Sequence, residues 1–262
     1  MNFLLLEVGA AGYEPSGNFF LGDKVNSSEK QEGLHIVVVA NGEVSSSKRS
    51  LSVLEAADAI VAADGGANWL ASQGRIPDVL IGDMDSVSPS VVEALREGRC
   101  RLLRHPANKD ETDLELALLE AVSMGAKRIT VLGALGGRID HTLANILLLT
   151  IPQLANVEVV IRDDRCRLYV LRQAQAGEIH GEVGDTVSLI PLGGDAEGIT
   201  TSGLEYPLHG ETLRFGPARG VSNVLLEPTA RISLRKGMLL VVHIPKQPEG
   251  NEDEHGKLLQ SL

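Results

Sequence analysis

Two aspartates, Asp83 and Asp85, follow a short apolar run at residues 79–81, and Gly82 separates the run from them. Such a run is typical of the end of a buried strand, and in extended backbone alternate side chains share one face. Both carboxylates can therefore point to one spot. Two anions held that close repel each other, and a bound divalent cation relieves the repulsion. The alternative is a polar turn, because Asp and Ser are good turn formers.

Similar polar clusters follow three other predicted strands. These clusters are Asp64-Gly65-Gly66 after the second strand, Lys109 to Asp113 after the fourth, and Gly133 to His141 after the fifth. In open α/β sheets, ligands bind outside the carboxyl ends of the strands. Four clusters at that one edge predict a polar active site rather than four unrelated solvated turns.

The acidic members of these clusters suit a magnesium ion. Asp83, Asp85 and Asp113 offer hard oxygen ligands, and Mg²⁺ commonly bridges such carboxylates to substrate phosphates. For Asp113 a second interpretation stays open, because an acidic residue in the first turn of a helix is favoured by the helix dipole.

The remaining groups suit a phosphate. Gly136 and Gly137 allow backbone N–H groups to approach a phosphate at the start of the next helix. Arg138 can grip phosphate oxygens in bidentate fashion, and Lys109 offers a point charge. His141 either bonds phosphate or caps its helix.

The sequence lacks a P-loop and does not fit the dinucleotide fingerprint. The pattern therefore indicates phosphoryl transfer by positioning and charge neutralisation.

The elements that position these residues alternate between strands and helices over the first two thirds of the chain. The predicted strands are Leu34 to Ala40, Ala59 to Ala63, Val79 to Ile81, Arg101 to Arg104, Arg128 to Leu132 and Val157 to Ile161, and the predicted helices include Lys48 to Ala57, a stretch starting at Trp69-Leu70, one starting at Ser88-Pro89, Leu114 to Met124 and one ending at Leu149. This alternation predicts a doubly wound α/β, mainly parallel sheet.

Short alternating runs with turn signals replace this pattern after residue 163. Examples are Thr186 to Ile190, Thr212 to Phe215, Ser222 to Leu226 and Met238 to Ile244. They predict a C-terminal all-β sandwich domain. We therefore expect a loose N-terminal extension at 1–33, an α/β catalytic domain at 34–165 that carries the predicted magnesium and polyphosphate site, a β-sandwich domain at 166–246 and a flexible tail at 247–262.

Composition narrows the class of protein. The chain of 262 residues has a net charge of −11, which argues against a nucleic-acid-binding surface. A polyphosphate would have to be met by local cations instead. No apolar run reaches the length of a membrane span. Cys100 and Cys166 have neither metal-site spacing nor partners for a disulfide framework, so a reducing, cytoplasmic setting is expected.

Taken together, the motifs resemble those of the thiamine pyrophosphokinase (thiamine diphosphokinase) family. The resemblance is carried in order by Asp64-Gly65-Gly66-Ala67-Asn68, Gly82-Asp83-Met84-Asp85-Ser86, Lys109-Asp110-Glu111-Thr112-Asp113, Gly136-Gly137-Arg138-Ile139-Asp140-His141, Thr201-Ser202-Gly203-Leu204-Glu205-Tyr206 and Gly220-Val221-Ser222-Asn223. It extends over roughly residues 34 to 245.

The resemblance implies an α/β catalytic domain, a β-sandwich domain, magnesium, and a homodimer with the active site shared between subunits. The implied reaction moves pyrophosphate from ATP to the hydroxyl of thiamine and leaves AMP. In this family's pattern the metal ligands would be Asp83, Asp85 and Asp113, with Arg138 also catalytic. The implied nucleotide-binding residues are Asp64, Gly65, Asn68, Lys109, Thr112, Gly136, Gly137, Asp140 and His141, and the implied thiamine-binding residues are Tyr206, Ser222 and Asn223.

Two features depart from the family pattern. Tyr206 stands where some members carry a stacking Trp, and the N-terminal extension lies outside the pattern. A core aromatic of the sandwich is the alternative interpretation of Tyr206.

Two other functions remain open from the residues alone. An aspartyl-nucleophile phosphatase also places Asp-x-Asp after a buried strand, and a non-catalytic nucleotide or thiamine sensor needs pockets but no clustered carboxylates. Release of AMP from ATP, thiamine and magnesium would separate the three.

Overall fold

The computed structural model describes residues 33–98 and 100–246, together with a strand at 18–21. The helices are α1 (Lys48–Glu55), α2 (Gly66–Ser72), α3 (Pro89–Glu97), α4 (Asp113–Ser123) and α5 (Ile139–Leu148), followed by a 3₁₀ turn at Pro152–Leu154. The strands are β1 (Asn18–Leu21), β2 (Leu34–Val39), β3 (Ala59–Ala63), β4 (Val79–Gly82), β5 (Arg101–Arg104), β6 (Ala126–Leu132), β7 (Glu158–Arg162), β8 (Arg167–Arg172), β9 (Gln175–His180), β10 (Thr186–Pro191), β11 (Ala196–Ser202), β12 (His209–Leu213), β13 (Asn223–Val224), β14 (Thr229–Leu234) and β15 (Met238–Ile244).

The larger sheet has ten strands in the order β13-β10-β15-β8-β7-β6-β2-β3-β4-β5. Strands β2 to β7 pair in parallel. Strand β8 then pairs antiparallel with β7, and the later strands of this sheet are also antiparallel. Backbone hydrogen bonding therefore continues from the α/β part into the all-β part.

The smaller sheet has five strands in the order β1-β9-β14-β11-β12. Apolar side chains of both sheets form one of three core clusters, which includes Tyr169 and Leu171 of β8, Val187 of β10 and Ile232 of β14. The C-terminal part is thus a two-layer β structure, and the expected fold class is confirmed.

The other two core clusters lie on opposite faces of the parallel strands. Along β2, Ile36 and Val38 belong to the cluster that includes α4, whereas Val37 and Val39 belong to the cluster that includes α1 and α2. All four side chains are fully buried. This division follows from the two-residue period of a strand, and it explains why the run is apolar without interruption.

An arginine joins the two parts of the molecule. Arg172, the last residue of β8, donates hydrogen bonds to the carbonyl oxygens of Leu149, Thr150 and Ile151 at 2.7, 3.2 and 3.2 Å. These carbonyls belong to the turn that directly follows α5, and the N–H groups of the same three residues donate to the carbonyls of the last turn of α5. Burial of the guanidinium lowers the pKa of Arg172. The C-terminal half therefore fixes the end of a helix that begins at the candidate site.

Most predicted elements lie where the sequence places them, with three differences. Helix α2 begins at Gly66 rather than at Trp69. A Cβ on Gly66 would lie 2.2 Å from the carbonyl oxygen of Val39 in β2, so the helix can start this close to β2 because residue 66 has no side chain. Strand β12 ends at Leu213, so it contains only the first two residues of the predicted 212–215 run, and the chain bends at residues 215–217, where Gly216 has a φ of 106°. Strand β13 keeps only two residues of the predicted 222–226 run.

The N-terminal segment contains one element that the sequence interpretation lacks. Strand β1, within the expected loose extension, pairs in parallel with β9 over four residues. An edge strand has unpaired N–H and C=O groups, and β1 supplies partners for those of β9. Residues 1–17, 22–32, 99 and 247–262 lie outside the described residues, and so does the predicted flexible tail. Among the described helices none is long and apolar enough to cross a membrane.

Candidate active site

The order in which the chain adds strands to the sheet reverses between β2 and β6, which are parallel neighbours. From β2 the chain adds β3, β4 and β5 on one side, and from β6 it adds β7 on the other. A crevice opens outside the carboxyl ends of the strands at such a switch point, and ligands of α/β proteins bind there. The predicted polar clusters all follow strands at this edge.

Three carboxylates meet on one side of the switch point. One oxygen from each of Asp64, Asp83 and Asp85 lies within 4.8 Å of the others. Asp64 follows β3, and its N–H donates to the carbonyl oxygen of Ile81 at 2.8 Å, so the β3–β4 pairing positions it. Its φ of +44° turns the chain into α2 at once. Asp83 Oδ1 accepts the N–H of Asp85 at 3.1 Å, which fixes the loop after β4.

Gly82 lets a fourth acid approach. With a φ of +143°, a Cβ atom at Gly82 would lie 3.1 Å from both Asp113 Oδ1 and Asp64 Cβ. A side chain there would be strained and would push against both acids. Asp113 begins α4, so the sequence interpretation of it as a first-turn acid is also correct. The structure therefore brings Asp113 to the same spot as Asp64.

The acid cluster contains buried carboxylate oxygens that lack a hydrogen-bond donor. Asp64 is 5% exposed, and burial raises the pKa of its carboxyl group, assisted by the charges of Asp113 and Asp85. The Oδ1 atoms of Asp64 and Asp113 are buried and accept no hydrogen bond within the described part of the chain. Buried carboxylate oxygens are normally satisfied. An oxygen-liganded divalent cation fits this donor set.

Lys109 already points at these acids. Its Nζ lies 2.9 Å from Asp113 Oδ1, in an ion pair without hydrogen-bond geometry, and it donates to the carbonyl oxygen of Pro106 at 3.3 Å. Its side chain is only 12% exposed. Lys109 is thus a partly buried cation beside the acid cluster, where it can also meet a phosphate.

Three of the implied nucleotide-binding residues have structural roles that the sequence motifs do not reveal. They are Thr112, Asn68 and Gly65. Thr112 caps α4 by accepting the N–H of Glu115 at 3.2 Å. The Asn68 side chain donates to the carbonyl of Ser86 at 2.7 Å and accepts the N–H of Ser88 at 2.9 Å. It therefore joins α2 to the loop that carries Asp83 and Asp85. Gly65 is packed so closely that a Cβ would lie 2.0 Å from the Asn41 side chain.

On the other side of the switch point, a glycine turn precedes α5. Gly136 and Gly137 have φ values of 89° and 64°. The turn is held from α5, because Asn145 Nδ2 donates to the carbonyl oxygen of Ala134 at 2.8 Å and Thr142 Oγ1 donates to that of Gly136 at 3.3 Å. Two successive left-handed glycines expose backbone N–H groups to an anion.

Arg138 and Asp140 form a fork at the start of α5. Arg138 donates from Nε to Asp140 Oδ1 at 3.1 Å and from Nη2 to Oδ2 at 2.5 Å. The hydrogen bonds from Arg138 lower the pKa of Asp140 to about 2. Asp140 also accepts the N–H of His141 at 3.0 Å. Arg138, the N-cap residue of α5, makes no side-chain cap hydrogen bond, and both interpretations of His141 stay predictions.

The expected thiamine-binding residues come together in the all-β half. Tyr206 is 64% exposed, so its interpretation as a core aromatic is wrong. Ser222 is exposed, has a φ of +63° and donates its N–H to Ser188 Oγ at 3.0 Å. Asn223 bonds to the backbone of Tyr206. Within the described residues no hydrogen bond or ion pair joins this group to the acid cluster.

One residue at this edge was missed by the sequence interpretation. Arg165 follows β7, and its Nη2 lies 3.9 Å from the position of a Cβ on Gly136. The signal that could have found it is the strand-end rule itself, because Asp163-Asp164-Arg165 follows the sixth predicted strand.

Comparison with known proteins adds independent information. The family model described as the catalytic domain of thiamin pyrophosphokinase matches residues 51–161, and the model described as the vitamin B1 binding domain of thiamin pyrophosphokinase matches residues 173–239. Together these matches span more than half of the chain.

Individual relatives agree with the family models. Thiamine pyrophosphokinase 1 of Oryza sativa subsp. japonica is 32% identical over 64% of this chain and 66% of its own length, slightly less than two thirds. Thiamine pyrophosphokinase of Bacillus subtilis is 29% identical over 70% of this chain and 85% of its own length.

A solved structure agrees as well. The crystal structure of a thiamine pyrophosphokinase from Bacillus subtilis superposes with a TM-score of 0.71 at 25% sequence identity, covering 81% of this chain and all of the other. The order of the motifs, the two-part fold and both family models lead to one conclusion: this chain belongs to the thiamine pyrophosphokinase family.

Proposed function

We propose that this protein transfers pyrophosphate from ATP to the hydroxyl group of thiamine, with magnesium held by the acid cluster. The observation that carries the proposal is the convergence of Asp64, Asp83 and Asp85 within 4.8 Å at the switch-point edge, in a chain of this family. The family matches favour neither an aspartyl-phosphatase nor a non-catalytic sensor.

The reaction needs one bond to form and one to break. The thiamine hydroxyl oxygen attacks the β-phosphorus of ATP, the bond from that phosphorus to the oxygen shared with the α-phosphorus breaks, and AMP leaves with that oxygen. The hydroxyl proton goes to solvent or to a carboxylate. The protein's contribution to such a transfer is positioning and charge neutralisation.

Each side of the crevice has its own task in this proposal. Asp83, Asp85 and Asp113 hold magnesium, and the position of Asp64 adds a fourth acid to that set. When bound, magnesium would supply neutralisation of phosphate charge. Lys109 lies beside the acids and meets the transferred phosphates from that side.

The glycine turn and Arg138 receive the nucleotide phosphates on the other side. Arg138 keeps Nη1 outside the fork that it forms with Asp140, so it can contact phosphate while Asp140 orients it. The exposed position of His141 in the first turn of α5 suits a further phosphate contact. The other implied nucleotide-binding residues then act mainly by fixing the loops that follow the strands; these residues are Asp140, Gly65, Asn68 and Thr112.

The exposed aromatic face of Tyr206, beside Ser222, suits a thiazolium cation. A cation over a tyrosine face gains about 0.5 to 2 kcal/mol, depending on desolvation. Ser222 and Asn223 supply polar groups at the same place.

We also propose a homodimer whose active sites are shared between subunits. Helix α5 has no buried residue, and Ile139, Leu143 and Leu147 along it are 72%, 56% and 54% exposed. These residues are spaced four apart and form one apolar stripe. Such a stripe beside Arg138 suits coverage by a second copy of the chain.

The direct test is incubation with ATP, thiamine and Mg²⁺, followed by separation of nucleotides and thiamine esters. Stoichiometric AMP and thiamine diphosphate support the proposal. Release of ADP or inorganic phosphate in place of AMP would contradict it. Asp83→Asn is the negative control.

A further inference from the structure

Arg165 is held rigidly at the edge of the crevice. Its Nε and Nη2 atoms donate to Asp163 Oδ2 at 2.9 and 2.7 Å, and its backbone N–H donates to Asp163 Oδ1 at 2.8 Å. Asp163 also accepts the N–H of Cys166 at 2.8 Å, and the N–H of Asp163 returns to the carbonyl of Cys166 at 3.0 Å. The turn that carries Arg165 is therefore closed by its own hydrogen bonds.

A neighbouring contact fixes the turn to the rest of the site. Ser47 Oγ donates to Asp164 Oδ1 at 2.6 Å, and the same hydroxyl accepts the N–H of Ser50 as the N-cap of α1. The loop after β7 is thus fixed to the helix that follows β2. These loops border the switch point from two sides.

The free part of the guanidinium points to solvent. A guanidinium has five N–H groups, and Asp163 takes two of them. Within the described residues Asp163 is the hydrogen-bonding partner of this side chain, which nevertheless stays 70% exposed. Asp163 itself is 19% exposed. This arrangement orients an arginine without covering the edge formed by Nη1 and Nη2.

The position of Arg165 separates it from the acid cluster. Arg165 follows β7, whereas Asp83 and Asp85 follow β4, and three strands, β6, β2 and β3, lie between β7 and β4. Neighbouring strands are about 4.8 Å apart, so the two strand ends are separated by about 19 Å. Arg165 nevertheless leans toward the glycine turn, since its Nη2 lies 3.9 Å from the position of a Cβ on Gly136.

We propose that Arg165 binds the phosphate of the AMP half of ATP, together with the Gly136 turn, and that Asp163 is its positioning residue. The proposal rests on the pyrophosphotransferase function proposed above. In that function the acid cluster binds the β- and γ-phosphates, which are transferred to thiamine. The AMP half of ATP, which leaves, then extends toward the opposite side of the crevice. An arginine edge matches phosphate oxygens in geometry and charge.

The experiment measures binding of AMP, magnesium pyrophosphate and adenosine to the full-length protein by calorimetry, without turnover. Arg165→Gln is expected to weaken AMP binding at least about tenfold, the loss of one charged hydrogen-bonding contact, and to leave the affinity for magnesium pyrophosphate and adenosine within about twofold. Arg165→Lys should fall between Arg165→Gln and the unmodified protein, because it keeps the charge but loses the planar edge.

Asp163→Asn tests the positioning role. Asn keeps an oxygen for the N–H groups of Arg165 and Cys166 but removes the carboxylate that orients the guanidinium, so AMP binding should weaken about threefold or more. A control with matched exposure is Arg231→Gln, because Arg231 is also 70% exposed and bonds to Glu178 but lies on β14 in the other sheet. It should bind AMP like the unmodified protein.

Three results would overturn the inference. The first is AMP affinity within twofold of normal in Arg165→Gln, and the second is a larger loss of pyrophosphate affinity than of AMP affinity. The third is an equal loss for adenosine, which would place Arg165 on the nucleoside. If the unmodified protein binds neither AMP nor magnesium pyrophosphate, the proposed function fails instead, and the two failures are thereby distinguished.

Discussion

The side-chain amide of Asn223 bonds to both polar backbone groups of Tyr206. Its Oδ1 accepts the N–H of Tyr206 at 3.0 Å, and its Nδ2 donates to the carbonyl oxygen of Tyr206 at 2.8 Å. The same Oδ1 accepts the N–H of Val224 at 2.9 Å. One amide thus fixes the loop of Tyr206 against the segment that carries Ser222, and it does so through backbone groups that any residue except proline would offer at position 206.

The first prediction concerns this amide. Asn223→Ala should raise the KM for thiamine about tenfold or more, because two hydrogen bonds of about 1 kcal/mol each no longer hold the Tyr206 loop. The KM for ATP should stay within about twofold. Asn156→Ala, at an exposed asparagine before β7, is the control and should change neither value. Equal changes in both KM values for Asn223→Ala would contradict a local role.

The second prediction concerns the acids and magnesium. Asp83→Asn should lower kcat roughly a thousandfold or more, since a lost metal ligand costs several kcal/mol of transition-state stabilisation. Near-normal turnover of this variant at low magnesium would remove Asp83 from the metal site.

A third prediction uses stability rather than activity. Burial raises the pKa of Asp64, so without metal the folded state holds a proton more tightly than the unfolded state does. Protonated Asp64 therefore contributes stability at pH values below the pKa that it has in the unfolded chain. This contribution is lost as pH rises through the higher pKa that Asp64 has in the folded protein. Above that window, Mg²⁺ should raise the melting temperature of the unmodified protein. Asp64→Asn should be more stable than the unmodified protein without metal, with a smaller magnesium shift. A magnesium shift of unchanged size would exclude Asp64 from the site.

The fourth prediction tests the shared active site. Asp83→Asn protein is mixed with protein that carries Ser222→Ala and Tyr206→Ala, under conditions that exchange subunits. Half of the dimers are then hybrids with one intact site each, so about a quarter of normal activity should return. Each protein mixed with itself is the control. If each chain carries its own complete site, mixing restores nothing.

The fifth prediction concerns a buried pair in the all-β half. His243 Nε2 lies 2.7 Å from Asp185 Oδ2, and both side chains are at most 4% exposed. Burial alone would raise the pKa of Asp185, but the N–H groups of Lys246 and Glu182 and the bond to His243 outweigh it and lower the pKa. A lowered carboxyl pKa stabilises the fold above the unfolded pKa, and that stabilisation is lost as pH falls through the folded pKa.

Asp185→Asn should therefore lower the free energy of unfolding by about 2 to 3 kcal/mol near pH 7, because it leaves a buried N–H without its acceptor. The difference from the unmodified protein should narrow below about pH 4. Asp195→Asn, at an exposed acid, is the control for loss of charge. A difference that does not change between pH 7 and pH 3 would show that the carboxylate charge is not what stabilises the pair.

Residue types and their spacing predict the order of strands and helices and the edge of the sheet on which the chemistry lies. Uninterrupted apolar runs such as 34–39 are what a strand buried on both faces requires, and polar residues after such runs must share the carboxyl edge of a parallel sheet. Hence Asp83, Asp85, Asp113 and the glycine turn were assigned to one edge from residue types and spacing alone.

Tertiary structure decided which of these residues touch. Asp64 joins Asp83 and Asp85 because the β3–β4 pairing sets its depth, and Asp113 reaches Asp64 only because Gly82 has no side chain. Register and close approach of this kind depend on contacts between segments distant in sequence, which local pattern does not encode. The same holds for the approach of Arg165 to Gly136 and for Tyr206, whose backbone is held by the amide of Asn223, 17 residues away.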